Sequence, residues 1–571
     1  MEAGKYSLDR IITGENTLEV PFYQRSYVWN QDQWARLLED MDFLTNYDRT
    51  YFIGSIIIKQ KLSPMGRMDT IIDGQQRLTT LSIFFKVLCL KTNATRRFDR
   101  RFRLDNGNIA IKHSYRDKEA FDHALNMEAA ETIDKTDRIS KCFNYFVENL
   151  DETKLDFDKI FNNLLFVVIS LGPDEDEQQI FDTINSLGVR LTTAELLKNY
   201  FFRDDDINSY KEYWENVFEL DKETIGYWEQ EIMSGRFRRT LIDTFFYAFL
   251  QIKIQDKSLK IDTKEKLLFS KVDRLFDSYK HLVGNDKYNI DKKELLEEIR
   301  EYAGVFRSTF DPKSVNYELE SENSINRVNN LIFGLDSAIL ITYVLYLVKK
   351  NKDDQKSLND MLAILESYMV RRVIVRASTR EYGGLFNESL ILNNVFTKKE
   401  FLEYVNKRSD NVFMPDDTQL KQGFETSKLT NNYTRGILYL LESSIRDHAR
   451  HSIPLKSLKS YSLEHIMPKK WQQYWSEDTD LDNEEAVRDR NDKLLTLGNL
   501  TLLTDKLNSN ISNANWETKL NGRGSHRGLK TYASGIETLT TYLEIPQWDE
   551  KSIEHRANDL YKSSVRVWSD S

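Results

Sequence analysis

The sequence predicts a mainly α protein with α+β ends, and three observations carry that reading. Proline is scarce, 8 in 571 residues, and Leu, Lys and Glu fill long segments without turn residues, a composition that favours helices. Two apolar runs near the N-terminus, Tyr51–Gln60 and Met68–Ile72, are rich in Ile and aromatic residues and read as buried strands. Hydrophobic residues make up 40% and aromatics 12%, which calls for packed cores and excludes a disordered chain. At 571 residues the chain exceeds one ordinary core, and it divides into residues 1–205, a helical region 206–430, and residues 431–571.

A formal charge of −10 argues against general coating of nucleic acid and leaves room for a local basic groove. Cys89 and Cys142 are too few for a disulfide framework, and MEAGKYSLDR lacks the basic-then-apolar pattern of a signal peptide, so a cytoplasmic protein is expected. The apolar segment Leu331–Val348 is interrupted by Asp336 and Ser337, so no membrane span is expected.

In chain order, Leu18–Trp29 is an extended run entering a turn, with Pro21 favouring extended backbone before it. Gln31–Phe43 has apolar positions at helical spacing, and a further helix starts at Gln75. Between the strand ending near Ile72 and that helix lies Asp73-Gly74-Gln75-Gln76-Arg77. Gly74 permits a tight turn, which leaves first-turn amides free to meet an anion, and Arg77 can fork onto phosphate oxygens. An ordinary helix cap, with Asp73 at the N-terminus and Arg77 in a surface ion pair, accounts for the same string. Tyr23, Gln24 and Arg25 form an aromatic-amide-cation trio suited to stacking on a base or gripping a phosphate.

Thr95–Leu104 (TRRFDRRFRL) is the most basic local run. On a helix Phe98 and Phe102 bury and the arginines form a solvated face offset by Asp99 and Asp105; on a strand the charges line one side and track a DNA backbone. Further on, Gly188 ends a helix begun near Glu177, and Thr192 with Glu195 makes a capping box for the next. Asn185, Arg190 and Lys198 either line a nucleotide or DNA surface or serve as caps and solvated charge. From Asp206 to Arg450 amphipathic segments dominate, among them Ser234–Leu250, Lys264–Leu282, Asp291–Phe306, Asn326–Lys349 and Asp360–Val375. No catalytic cluster emerges there, and Arg371 and Arg372 read as structural.

The chemistry concentrates between Ser462 and Lys519: Glu464-His465 ahead of Pro468, Asn499 inside Leu-Gly-Asn-Leu-Thr-Leu-Leu, then Asn508. Phosphodiester hydrolysis needs a base for water and a cation for the charge on the leaving oxygen, and His465 suits the first task. This ordered set resembles an HNH nuclease. The resemblance implies a ββα-metal fold in which His465 is the general base on a strand, Asn499 fixes its ring by hydrogen bonding, and Glu464 with Asn508 holds one divalent ion. Oxygen donors of this kind favour magnesium or manganese. Lys519 is a candidate phosphate contact. No Cys pairs flank the set, so packing by Trp471, Trp475, Trp516 and leucines must hold the hairpin in place of a zinc knuckle. His526, in NGRGSHRG, is expected to be solvent-exposed.

Ile71-Ile-Asp-Gly-Gln-Gln-Arg-Leu-Thr-Thr-Leu81, preceded by Val20-Pro-Phe-Tyr-Gln-Arg-Ser-Tyr-Val-Trp29 and followed by Gln179–Asn199, resembles the N-terminal domain of GmrSD-type restriction proteins. The HNH segment, with Trp548 and Arg556 downstream, resembles the C-terminal domain of the same family. The resemblance implies a ParB-like α/β domain that binds and hydrolyses a nucleoside triphosphate (GTP, ATP or another), with Asp73, Gly74, Gln75, Gln76, Arg77, Gln24 and Arg25 as its contacts. It also implies cleavage of double-stranded phage or foreign DNA carrying glucosylated hydroxymethylcytosine-type bases or a phosphorothioate backbone. A double-strand cut by one HNH site needs two events or two chains, which is consistent with a homodimer. Two other classes account for the same motifs: a nucleotide-switched DNA-binding regulator with a non-cleaving HNH module, and a DNA-stimulated NTPase.

Overall fold

The computed structural model describes residues 2–13, 15–47, 50–63, 66–172, 192–202, 207–235, 237–319, 324–407, 412–446, 454–476, 481–504, 507, 509–533 and 535–571. The chain forms two compact units, Met1–Glu212 and Tyr213–Ser571. Residues 206–430 and 431–571, read from the sequence as a helical region and a nuclease module, fall largely within the second. The protein is mainly helical, with a mixed sheet in the first unit and small hairpins in the second.

The first unit is built on a six-stranded sheet in the order β1-β6-β3-β4-β2-β5: β1 Glu2–Ser7, β2 Thr17–Glu19, β3 Tyr51–Ser63, β4 Gly66–Asp73, β5 Ile111–Lys112 and β6 Leu164–Leu171. β3 lies inside the sheet, parallel to β6 and antiparallel to β4, with register shifts at Phe52/Gly54 and Ile57/Ile58. The strands expected at Tyr51–Gln60 and Met68–Ile72 are there and run longer. Of the extended run from Leu18 to Trp29, Thr17–Glu19 alone pairs as a strand before the chain becomes a loop.

The Gln75–Lys91 helix is the centre of this unit, with every residue from Leu78 to Leu90 buried. Its apolar residues go all round the helix, the pattern of one enclosed on every side. It packs against the Thr95–Phe102, Tyr115–Asn126 and Arg138–Asn149 helices. The basic run at Thr95 takes the helical alternative: Phe98 and Phe102 stack at 4.6 Å inside the core. The arginines stay outside, Arg103 on Asp99 at 2.9 Å, Arg97 on Asp158 at 3.2 Å, and Arg101 on Asp9. The Thr192/Glu195 capping box forms, Glu195 N–H donating to Thr192 Oγ1 at 3.2 Å and Thr192 N–H to Glu195 Oε2 at 2.9 Å. Gly188, Asn185 and Arg190 lie outside the described residues. Lys198 is buried and partnered, so it does not line an open surface.

In the second unit the expected helix Ser234–Leu250 is instead a hairpin followed by a helix. β7 (Glu231–Ser234) pairs antiparallel with β8 (Phe237–Thr240), Gly235 adopts the left-handed conformation at φ +64, and Thr240 caps the Leu241–Lys253 helix. The segment Asn326–Lys349 breaks at Asp336, whose φ of +54 ends one helix before Ile341–Lys350 begins. Lys264–Leu282 divides into Thr263–Phe269 and Leu275–Gly284. Arg371 and Arg372, in the Gln355–Ile374 helix, are fully buried. Arg371 donates to Trp568 O, Pro415 O and Asp417, and so ties the chain's last residues to this helix. No helix among the described residues is long and apolar enough to cross a membrane.

Candidate active site

β9 (Ser462–His465) and β10 (Leu500–Leu503) form an antiparallel hairpin in which Leu500 faces His465 and Thr501 faces Glu464. Short helices Ser509–Ser512 and Trp516–Asn521 follow. β10 is buried throughout, whereas every residue of β9 is half-buried. His465, the last residue of β9, is therefore held at the surface side of a well-packed element. Burial, reinforced by the charges of Lys469 and Lys519, holds its imidazole down at about 4, so at neutral pH the ring is the uncharged, proton-accepting form.

Asn499 departs from the expected arrangement. It is fully buried, and its amide is saturated: Oδ1 accepts from Met467 N–H at 2.8 Å and Trp548 Nε1 at 3.1 Å, while Nδ2 donates to Met467 O at 2.9 Å and Leu494 O at 3.0 Å. With both acceptor and both donor positions occupied, it cannot also bond the His465 ring. Its role is to pin the loop that leaves His465, aided by the Ile466 N–H bond to Asn499 O at 2.8 Å.

Lys519 also differs from its sequence reading. Fully buried, its ammonium donates to Glu464 Oε1 at 2.8 Å, His465 O at 2.5 Å and Ser512 O at 2.8 Å, so its three protons are used and none is left for a phosphate. Burial lowers its pKa against the opposing pull of Glu464. Ser512 Oγ donates to the same carboxylate oxygen at 2.8 Å. Ser512 carried no motif signal, and its role follows from the turn of helix that brings it under β9.

The tryptophans bond to segments that flank the hairpin. Trp471 Nε1 donates to Asn491 at 2.8 Å, Trp475 Nε1 to Ala514 O at 2.8 Å and Trp516 Nε1 to Ile545 O at 3.0 Å. The Glu550–Val567 helix closes the module. A Cβ at Gly498 would lie 2.3 Å from Ile553 O, so glycine is what allows the close approach. From this helix the fully buried Arg556 donates to the carbonyls of Leu497, Gly498, Leu500 and Thr538. Burial lowers its pKa to about 10. His526 is exposed in a two-residue-strand hairpin, Gly522–Arg523 with His526–Arg527.

Of the two expected metal ligands, Asn508 lies outside the described residues. Glu464 takes both its hydrogen bonds on Oε1, which leaves Oε2 unbonded among the described residues. A carboxylate oriented through one oxygen and open at the other fits a hard cation. No three His, Cys, Asp or Glu side chains gather into a metal cluster among the described residues.

In the first unit, Gly74 sits between β4 and the buried helix at φ +99, where a Cβ would lie 2.8 Å from Ile56. The glutamines behind it reach into their own chain. Gln75 Nε2 donates to Arg25 O at 2.8 Å, Gln76 Nε2 to Ser26 O at 3.2 Å, and Gln76 Oε1 accepts from Val28 N–H at 2.8 Å. Gln24 Nε2 donates to Ile72 O at 3.1 Å. Asp117 Oδ2 accepts from Tyr27 N–H at 2.7 Å, and Arg138 donates to Val28 O at 2.5 Å. The loop from Gln24 to Val28 is thus held backbone group by backbone group. Asp117 and Arg138 carry part of that work, and the sequence offered no motif for either.

Arg77 donates to Ser55 O at 2.6 Å and reaches Asp73 Oδ2 at 3.3 Å. It lies over Gly54, where a Cβ would crowd it at 3.2 Å. The ion-pair alternative for Arg77 is therefore present, while the cap position belongs to Gly74, which offers no capping side chain. Tyr23 is buried edge-on to Phe22 at 5.4 Å, so it packs instead of offering a stacking face. Arg25 remains about a third exposed, with Glu195 at 3.9 Å. Gln75 Oε1 and Arg77 Nε are buried with no hydrogen-bond partner.

Comparison with curated proteins returned no match. Comparison with protein families matched the GmrSD restriction endonuclease N-terminal domain over residues 8–202, which holds the braced loop and, apart from β1, the sheet. It also matched the GmrSD restriction endonuclease C-terminal domain over residues 414–563, the span of the hairpin and its closing helix. Carrying both domains in this order, the chain belongs to the GmrSD restriction endonucleases.

Proposed function

We propose that this restriction endonuclease is regulated by a nucleotide and cuts modified phage or foreign DNA, glucosylated hydroxymethylcytosine-type or phosphorothioate, at the β9–β10 hairpin. The observation that carries the proposal is the neutral His465 ring at the half-buried end of β9, next to a carboxylate held through one oxygen by Lys519 and Ser512. His465 takes the proton of the attacking water as general base. Asn499 keeps the loop behind it from shifting, which preserves the ring's aim although it does not touch the ring. Lys519, bonded to both Glu464 and the His465 carbonyl, holds base and acid in one frame. Glu464 and Asn508 are the residues that would hold a magnesium or manganese ion, which would stabilise charge on the leaving oxygen.

The nucleotide contacts are assigned to the Asp73–Arg77 turn with Gln24 and Arg25. The support is chemical: partly exposed Arg25, the unpartnered acceptor of Gln75, and a helix start that Gly74 leaves without a side-chain cap. A nucleotide bound there controls cleavage only through unequal affinity for the active and inactive arrangements.

The test is plasmid and modified phage DNA incubated with magnesium or manganese, with and without each nucleoside triphosphate, using the wild type and His465→Ala. The variant is expected to lose about 10²- to 10⁴-fold in nicking rate with an unchanged circular-dichroism melt. Full nicking by the variant would remove His465 from the chemistry, and no nicking by the wild type on any DNA would favour a DNA-binding regulator.

A further inference from the structure

We propose that a cleft beside the nuclease hairpin, formed by Arg435 and Lys459, binds a backbone phosphate of the DNA strand that flanks the cut. The inference rests on the reading that the β9–β10 hairpin works on DNA, and it concerns residues to which that reading assigns nothing.

The cleft has a volume of about 660 Å³ and lies between the start of the Asn431–Ile445 helix and the start of β9, reaching Ser462, Leu463 and Thr504. Its lining includes two cations and no carboxylate, in a chain whose formal charge is −10. A surface drawn at random from such a chain would be expected to carry acids, so the sign of this cleft is a property of the site. Asp336, outside the lining, accepts from Asn432 Nδ2 at 3.1 Å.

Among the described residues Arg435 makes one hydrogen bond through its guanidinium, to Asn432 Oδ1 at 3.2 Å, and its Nε is buried with no partner. A buried, unmade guanidinium donor costs free energy that an oxyanion in the cleft would recover. Lys459 is exposed and pairs with no carboxylate among the described residues. A free nucleotide fits less well than a backbone phosphate. The one aromatic side chain of the lining, Tyr461, is buried, packed near Tyr439, with its hydroxyl accepting from Lys456 N–H. That leaves no open ring face for a base to stack on.

Position relates the cleft to the reaction. Ser462 and Leu463 open β9, and His465 ends it, a separation of about 10 Å along a strand. That distance is short enough for one strand to place a phosphate in the cleft and a nearby phosphodiester at the end of β9. One DNA strand can therefore lie in the cleft and present its scissile bond to His465. A site for a flanking phosphate fixes register and orientation without reading sequence.

The experiment measures duplex binding by fluorescence anisotropy across a salt series, without divalent ions, in the full-length His465→Ala chain. Lys459→Gln, Arg435→Gln and the pair are then added to it. Because binding is read in a chain that does not cut, failure of the proposed chemistry would not be mistaken for failure of this site. Each substitution is expected to weaken binding to a similar extent on every duplex, and the pair to lower the slope of log affinity against log salt by about 1, the share of the one phosphate they hold. Lys459 is exposed, so its variant keeps the test valid even where Arg435→Gln disturbs folding, which a thermal melt would report. Unchanged affinity and slope in Lys459→Gln would overturn the proposal. So would a double variant that loses a labelled nucleoside triphosphate while holding duplex DNA as before.

Discussion

The nuclease hairpin and the Asp73–Arg77 turn both carry a recognisable string of polar residues, yet they use those side chains in opposite ways. At the hairpin the motif's histidine has a ring without protein partners among the described residues, and the groups around it, Asn499 and Lys519, are saturated with hydrogen bonds. At the turn the motif's own glutamines do the bracing, and the side chain they leave presented is Arg25 on the loop they hold. One motif displays its central residue, while the other displays a neighbour. The type of a motif residue therefore does not say whether it acts on a ligand or on the chain.

After the loss of nicking in His465→Ala, the largest effect expected is on stability at the hairpin. Lys519→Met keeps volume and removes the ammonium, leaving Glu464 facing an apolar chain and two carbonyls without their donor. Breaking a buried pair from one side is expected to cost about 3–5 kcal/mol, read as a lower urea midpoint with an unchanged slope. A loss below about 1 kcal/mol would place Glu464 in the surface-pair class and end the claim that this frame is pinned.

The first unit offers a parallel test on its own histidine. Burial alone holds His113 down at about 4, its Nε2 on Thr79 Oγ1 at 2.8 Å and Asp117 Oδ2 3.8 Å from Nδ1. Its ordinary value is 6.5, so between pH 6.5 and 4 the unfolded chain binds the extra proton. The stability present above pH 6.5 is lost as pH falls toward 4, by about 3 kcal/mol. Asp117, whose carboxyl burial raises, takes up its proton more readily in the folded state than in the unfolded chain and works in the opposite sense. The comparison is therefore wild type against His113→Gln by urea unfolding at pH 7.5 and 5. The variant is expected to lose less stability on acidification; equal losses would show that His113 is not held neutral by its surroundings.

Much of the fold was legible because it rests on local signals. Glycine before a wholly apolar helix, a Thr-x-x-Glu box and paired phenylalanines on a basic helix each determine their own few residues. The hairpin at Glu231–Thr240 was missed because Met233 and Phe237 sit at helical spacing, while the turn at Gly235 has no second marker. The helix break at Asp336 turns on one residue's left-handed backbone, which asparagine-like side chains tolerate without advertising it. At the candidate active site, His465 and Glu464 were readable as candidates for chemistry. What Asn499, Lys519 and Ser512 do was not, since their partners, Glu464, Trp548 and backbone groups such as those of His465 and Met467, lie far from them along the chain. Chemistry is encoded in residue type, and satisfaction of hydrogen bonds is encoded in packing that a linear string does not display.

The smallest expected effect separates the two adjacent glutamines. Gln76 has its acceptor and one amide proton bonded to the loop, whereas Gln75 makes one bond and buries an acceptor without a partner. Replacing Gln76 by Leu strands Val28 N–H and Ser26 O and is expected to cost about 2 kcal/mol, while Gln75→Leu strands Arg25 O but removes an unsatisfied oxygen, for a net cost of about 1 kcal/mol or less. Thermal melts rank the pair, and the reverse order would sink the view that Gln76 is the stronger brace. The same melts, repeated with saturating nucleoside triphosphate, ask what the spare oxygen of Gln75 is for, since a ligand raises the melting point only through binding the folded state. Under the proposed assignment Gln75→Leu keeps most of its stability and loses the nucleotide shift. A brace with no ligand role would behave the other way, losing stability while the shift stays, so the two glutamines tell a clamp from a contact at neighbouring positions of one helix.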